Sequence, residues 1–75
     1  MPLRPLPYRQ VERRLRAAGF VPVAEHGSHV KFLRETSADT HVVIVPRHRE
    51  IAIGTLRSIV RQAGLTVAQF EDLAR

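Results

Sequence analysis

The stretch HGSHVKFLRETSADTHVVIVP, residues 26–46, decides the fold, because two strand patterns follow each other in it with a turn before each. In the first pattern the side chains alternate between two faces, with Val30 and Phe32 on one and His29 and Lys31 on the other. The apolar face is expected to pack against a core. His29 is therefore expected to point away from the core and into solvent.

Three strands are predicted in all: Phe20–Glu25, Ser28–Glu35 and Thr40–Pro46. Pro22 predicts an edge position for the first strand, because proline has no amide hydrogen to donate to a neighbouring strand. A tight turn at His26 and Gly27 separates the first two strands, since glycine accepts a positive φ. The third strand is apolar over most of its length, which favours a central or well-covered position in the sheet.

Helical patterns flank the strands, with apolar side chains at helical spacing. The predicted helices run from Tyr8 to about Ala18, from near Gly54 or Thr55 to about Ala63, and from Thr66 to about Ala74. Gly19 supplies the stop of the first helix, and Thr66 with Gln69 forms a capping-box pattern at the start of the last. The order α-β-β-β-α with a short extra C-terminal helix predicts an α+β fold, in which helices cover one face of a three-stranded antiparallel sheet.

The composition is strongly basic, with a formal net charge of +5 and eleven arginines among the twelve basic residues. A guanidinium matches two phosphate oxygens at once, so the surplus indicates a polyanionic partner, although a genome rich in arginine codons gives the same composition. Three arginines form a strip opposite the apolar face of the first helix. That strip also fits a solvated face with weak pairs such as Glu12 with Arg16. The predicted phosphate contacts are Lys31, Arg9, Arg13, Arg16 and Arg47.

His29 directly follows a Gly-Ser pair, and its chemistry has several interpretations. A metal site is disfavoured, because His26 and His29 straddle a tight turn with only Glu25 nearby as a further ligand, and no metal or other cofactor is predicted. Ser28 lacks a local aspartate–histidine partner for a nucleophilic triad, which leaves it a turn role. Imidazole ordinarily titrates near pH ~6.5, so His29 can transfer protons, and Lys31 would stabilise phosphate charge. From these residues alone, catalysis and simple exposure remain equally open.

The chain of 75 residues is expected to form a single domain over residues 1–75, since it leaves no room for a second core. It contains no cysteine, which fits a reducing compartment. No apolar run approaches the ~20 residues of a membrane helix, and the start lacks the apolar segment of a signal peptide. A cytoplasmic location without membrane contact is expected.

Residues 55–75 offer a rival interpretation, since a helix, a glycine-containing turn and a capped helix are typical of helix-turn-helix DNA readers. The last segment, however, exposes the carboxylates of Glu71 and Asp72, which would repel phosphates, and uses Phe70 and Leu73 for packing. A DNA-binding protein is therefore the less favoured alternative.

Five short motifs in a fixed order give a more specific indication. They are Gly-Phe at 19–20, Gly-Ser-His at 27–29, Val-Pro-x-His at 45–48, Gly-Thr-Leu at 54–56 and Gly-Leu at 64–65. Over almost the whole chain, the segments GFVPVAEHGSHVKF, VPRH and GTLRSIVRQAGL resemble the HicA family of toxins from bacterial and archaeal toxin–antitoxin systems, also called YcfA-like proteins.

The resemblance implies a fold similar to the double-stranded RNA-binding domain and an mRNA interferase activity, that is, an endoribonuclease that cuts messenger RNA. It implies that His29 is the catalytic residue and that Gly27 and Ser28 form the turn that presents it. With RNA as the substrate, the phosphate contacts predicted above become RNA-binding residues. It also implies a HicB-like antitoxin that covers the active site. A non-catalytic RNA-binding module of the same fold stays as an alternative, and the acid–base partner of His29 stays open between His26 and His48.

Overall fold

The computed structural model describes residues 3–74 and contains one antiparallel sheet. Residues 1, 2 and 75 of the predicted domain lie outside the described part. The strands are β1 (Val21–His26), β2 (His29–Glu35) and β3 (Thr40–Pro46), in the order β1-β2-β3. The three predicted strands are confirmed, with β1 displaced by one residue because Phe20 is buried in the core before the strand begins. β2 begins one residue later than predicted, since Ser28 belongs to the turn.

β2 is the central strand, and the two edges differ from each other. β1 is an edge strand, as Pro22 predicts, and its register shifts just after this residue. β3 is the other edge, so the prediction of a central or well-covered position is wrong. Its Val43 and Val45 are fully buried, whereas Val42 and Ile44 are 39% and 41% exposed. The apolar run of β3 therefore faces the core on one side and solvent on the other.

The two faces of the sheet have different surroundings. The inner face presents Val30 and Phe32, which are 2% exposed or less, to the helices. The outer face carries His29 and Lys31, which are both exposed. The strand alternation therefore predicted the orientation of all four side chains correctly.

Three helices pack on the inner face: α1 (Tyr8–Ala17), α2 (Ile53–Gln62) and α3 (Val67–Asp72). Gly19, with a φ of 96°, ends the first of them. At the start of α3 the hydroxyl of Thr66 accepts a hydrogen bond from the Gln69 amide at 3.0 Å, and the side-chain oxygen of Gln69 accepts one from the Thr66 amide at 2.8 Å. The α+β class and the predicted order of elements are confirmed, and the helix ends differ from the predictions by one or two residues.

One apolar core joins the helices to the sheet. Its fully buried large side chains are Phe20, Phe32, Phe70, Leu15, Ile51, Leu56, Ile59, Val11, Val43 and Val45. The segment before α1 is tied to the connection after β3, because Leu6 and Ile51 exchange backbone hydrogen bonds of 3.2 and 2.6 Å. This tie places the start of α1 beside the end of β3.

The helix-turn-helix interpretation finds little support in the C-terminal helices. α3 has only six residues and no basic side chain, and its Phe70 is fully buried. A recognition helix needs a polar or basic surface towards DNA, so this short helix serves packing instead. Among residues 3–74, no helix has both the length and the apolar character that crossing a bilayer requires.

Candidate functional site

The turn between β1 and β2 contains only two residues, Gly27 and Ser28. Gly27 has a φ of 59° and Ser28 a negative φ, a pattern typical of type II′ hairpin turns, which place glycine first. The carbonyl of Ser28 accepts a hydrogen bond from the Arg47 amide at 2.6 Å, which fastens the turn to the end of β3. The residues predicted to present His29 therefore form a tight, anchored turn at one end of the sheet.

The two histidines that flank this turn are direct cross-strand partners. His26 ends β1, His29 begins β2, and the strand register pairs them. Both are exposed. Residues directly opposite each other in an antiparallel pair share a face, with Cβ atoms ~4.5–5.5 Å apart, so the two imidazoles extend from neighbouring positions on the outer face. His26 is thus a strand residue and not the turn residue that the glycine predicts. The Gly-Ser spacing contained the signal, because a two-residue loop makes its flanking residues partners.

Lys31 lies on the same face, two residues further along β2 and opposite Ile44. The rise of a strand puts it ~7 Å from His29 along the chain direction. We call His26, His29 and Lys31 the histidine face. His48, the other predicted candidate for a catalytic partner, lies in the connection after β3, where its backbone carbonyl accepts a hydrogen bond from the Tyr8 amide at 3.1 Å. Within residues 3–74, no three histidine or carboxylate side chains are grouped so as to hold a metal ion.

Arg47 is engaged in an ion pair on the other side of the hairpin. Its Nε and Nη2 donate to the two carboxylate oxygens of Glu25 at 2.8 and 3.1 Å, and its guanidinium carbon lies 4.8 Å from the ring centroid of Tyr8. The hydrogen bond to Glu25 raises the pKa of the Arg47 guanidinium, and burial raises the pKa of the Tyr8 hydroxyl. These side chains line a cavity of about 330 Å³ with the inward-facing Val30. Arg47 therefore lies on the helix side of the sheet, away from the His29 side chain.

The three arginines predicted to form a strip on the first helix do share one surface. Arg9, Arg13 and Arg16 are exposed and line a shallow depression of about 630 Å³. We call these three residues the arginine surface. Arg16 pairs with Glu12 at 3.0 Å, as their spacing predicts. Because α1 packs on the inner face of the sheet, the structure separates the arginine surface from the histidine face.

The fold and these surfaces define a small α+β domain that presents two paired histidines and a separate group of arginines. Residues 8–65 match the family model described as the HicA toxin of bacterial toxin-antitoxin systems. No curated protein matches the chain significantly. The match covers well over half of the 75 residues and includes the Gly-Ser-His turn. The chain therefore belongs to the HicA toxin family, which confirms the resemblance seen in its motifs. Its role is that of a toxin in a system that also contains an antitoxin.

Proposed function

We propose that this toxin is a ribonuclease that cleaves messenger RNA on the histidine face. The observation that supports the proposal most directly is the cross-strand pair of His26 and His29. Cleavage of RNA through a ribose 2′-hydroxyl needs one group that accepts a proton and one that donates a proton. Two exposed imidazoles on adjacent strands can fill both roles.

In the proposed reaction, the 2′-oxygen attacks the adjacent phosphorus and gives its proton to one imidazole. The bond between phosphorus and the 5′-oxygen of the next nucleotide breaks, and this oxygen takes a proton from the other, protonated imidazole. The products are a 2′,3′-cyclic phosphate and a free 5′-hydroxyl. His29 takes one role and His26 the other, while the ammonium of Lys31 offsets the charge that builds up on the phosphoryl oxygens.

The proposal is tested by RNA cleavage with purified protein and by growth after induced expression. His29→Gln and His26→Gln should each lower the cleavage rate by ~10²–10⁴-fold without changing the melting temperature, because both side chains are exposed. His48→Gln should remain active, since the contact of His48 with Tyr8 uses its backbone carbonyl. Undiminished cleavage by His29→Gln would refute the proposal. RNA binding without cleavage by the wild type would identify a non-catalytic RNA-binding module.

A substrate in which sulfur replaces the leaving 5′-oxygen distinguishes the roles of the two histidines. A thiolate leaves without needing a proton, so the modified substrate should restore the rate of the variant that lacks the acid but not of the variant that lacks the base. With the normal substrate, the wild type should show a bell-shaped pH profile, because the base must be neutral and the acid protonated. Rescue of both variants, or of neither, would contradict the division of roles between these residues.

We propose further that the antitoxin partner is HicB-like and covers the histidine face. The outer face of the sheet continues from the histidines into an apolar row, in which Val21 and Val42 flank Leu33 and are 51% and 39% exposed. Contiguous exposed apolar area of this kind is typical of protein interaction sites. Its continuity with the histidines would let a single bound partner exclude RNA.

A charge placed in this row tests where the antitoxin binds. Val42→Asp should abolish co-purification with the co-expressed antitoxin while leaving RNA cleavage intact. Ala68→Asp, on the exposed side of α3, is the matched control and should still co-purify. If Val42→Asp bound the antitoxin as well as the control does, the antitoxin would have to contact another surface.

A further inference from the structure

Among residues 3–74, Arg14 is the one charged residue that is buried. It is 5% exposed and lies on the packed side of α1, in the same stripe as Val11 and Leu15. Charged side chains are almost never buried to this extent unless they are paired. The position therefore calls for a partner of opposite charge.

The partners that the fold supplies to Arg14 are insufficient. Its ion pair with Glu71 is long, with 3.8 Å between Nη2 and Oε1, which exceeds hydrogen-bonding distance. The ring centroid of Phe70 lies 5.2 Å from the guanidinium carbon. Nε and Nη1 are buried and have no hydrogen-bond partner among the described residues. Buried donors in native proteins are nearly always satisfied by protein, water or a bound ion.

Arg14 lines a small pocket together with other basic side chains. The pocket has a volume of about 210 Å³ and is lined by Arg4, Gln10, Arg13, Arg14 and Ala74. Burial lowers the pKa of the Arg14 guanidinium, and the neighbouring charges of Arg4 and Arg13 lower it further, although Glu71 opposes them. Among residues 3–74, three arginines thus line the pocket, and Glu71 is the one carboxylate paired with any of them. An anion in the pocket would offset the repulsion, and it would reach the free donors once the side chains that cover them shift.

We propose that this pocket is a binding site for a phosphate group, held by Arg14 from within and by Arg4 and Arg13 from the rim. The fork of a guanidinium donates two parallel hydrogen bonds to phosphate oxygens. At about 210 Å³ the pocket is smaller than sites for drug-sized ligands, so it suits the phosphate group itself rather than a whole nucleoside.

The phosphate comes either from the RNA backbone or from a free phosphate ion. Gln10 and Arg13 line both this pocket and the depression of the arginine surface, so an RNA strand on α1 would reach it without a break. The site does not depend on the proposed cleavage, because it belongs to the helix layer and not to the histidine face.

The test is a titration of the full, ¹⁵N-labelled chain with inorganic phosphate, at an ionic strength held constant with sodium chloride. The Nε–Hε resonance of Arg14 should shift in a saturable way, and the melting temperature should rise with phosphate concentration. Arg13→Gln, at an exposed position, should keep the fold and weaken phosphate binding about tenfold or more. Arg57→Gln removes an exposed arginine of α2 as the matched control and should bind phosphate like the wild type.

Further variants and ligands decide the remaining outcomes. Arg14→Met keeps the length of the side chain, and phosphate should no longer raise its melting temperature. If phosphate raised the melting temperatures of Arg14→Met and wild type equally, or if the Arg14 resonance did not shift, the proposal would be wrong. Competition between phosphate and a short RNA, in the His29→Gln background, would identify the RNA backbone as the source. Phosphate binding without competition would identify a free phosphate.

Discussion

The ion pairs on the basic surfaces lead to a quantitative prediction about RNA binding. The predicted RNA-binding residues form two groups, in which Lys31, Arg9 and Arg13 have no carboxylate within 4 Å among residues 3–74, whereas Arg16 and Arg47 are paired. A free cation that takes a phosphate releases counterions from the RNA, which makes binding sensitive to salt. A paired cation must first leave its carboxylate, so its contribution to the salt dependence is smaller.

The expected magnitude follows from the slope of log affinity against log salt, which is about −0.7 for each phosphate neutralised on a single strand. Arg9→Gln and Arg13→Gln should each make this slope shallower by ~0.7, which changes the ratio of affinities at 50 and 200 mM salt about 2.6-fold. The double variant should change that ratio about sevenfold. Arg47→Gln should change it less, and Glu25→Gln should steepen the slope by up to ~0.7, because it frees the Arg47 guanidinium.

Fluorescence anisotropy of a labelled single-stranded RNA measures these slopes, with the His29→Gln background preventing cleavage. Arg57→Gln, which removes an exposed arginine of α2, is the matched control and should leave the slope unchanged. The reasoning fails if Arg47→Gln alters the slope as much as Arg13→Gln does, since ion pairing would then not separate the two groups. It also fails if the control variant has an equal effect, since RNA would then respond only to net charge.

Three further predictions concern stability. Gly64→Ala should lower the free energy of unfolding by more than ~1 kcal/mol, because Gly64 has a φ of 71° and an added Cβ would lie 2.7 Å from Cε1 of His41. Gly54→Ala is the control, since its added Cβ meets no atom within 4 Å, and urea denaturation compares the stabilities of the two variants. Thr66→Ala should cost ~1 kcal/mol in the same assay through loss of the cap. Because the pKa of Tyr8 is raised on folding, stability should hold below pH ~10 and fall as the pH rises towards the folded-state pKa, and Tyr8→Phe should lack this fall.

Each of these predictions has an outcome that contradicts it. Equal effects of the two glycine substitutions would show that neither the backbone conformation nor the contact at Gly64 matters. An unchanged stability of Thr66→Ala would mean that the capping box contributes nothing in solution. Tyr8 is the only tyrosine of the chain, so tyrosinate absorbance reports its ionisation directly, and a transition at the ordinary pKa would contradict its burial.

Much of the fold is predictable from local patterns in the sequence. The period of two in β2 assigned Val30 and Phe32 to the core and His29 to solvent, and Gly19 ended the first helix as expected. These features depend on neighbours within a few residues, which a single sequence displays. The edge position of β3 was missed because an apolar run does not reveal how many of its faces are covered, and strand order is a long-range property.

The candidate site was less predictable, for reasons of register and tertiary packing. The pairing of His26 with His29 depends on which residues the hairpin loop contains, and the sequence pattern suggested a turn one residue too early. The ion pair of Glu25 with Arg47 joins residues 22 positions apart, so no local pattern announces it. Burial of Arg14 contradicts the ordinary preference of arginine for solvent, and only the packing of α3 against α1 creates it.

The two-residue turn separates two effects that a mutation can have on this protein, namely a loss of folded molecules and a change in the geometry of the histidine pair. The hairpin loop that pairs the two histidines spans only residues 26–29, with a further anchor at the Arg47 amide, and hairpins form from local contacts in ~1–10 μs. A core substitution such as Phe32→Ala should therefore reduce the number of folded molecules, while the pH profile of the proposed cleavage stays the same for the molecules that remain folded. A lengthened turn should do the opposite: the protein should remain folded, but the pH profile of the proposed cleavage should change. The amount of the proposed activity thus reports on the core, and its pH profile reports on the turn.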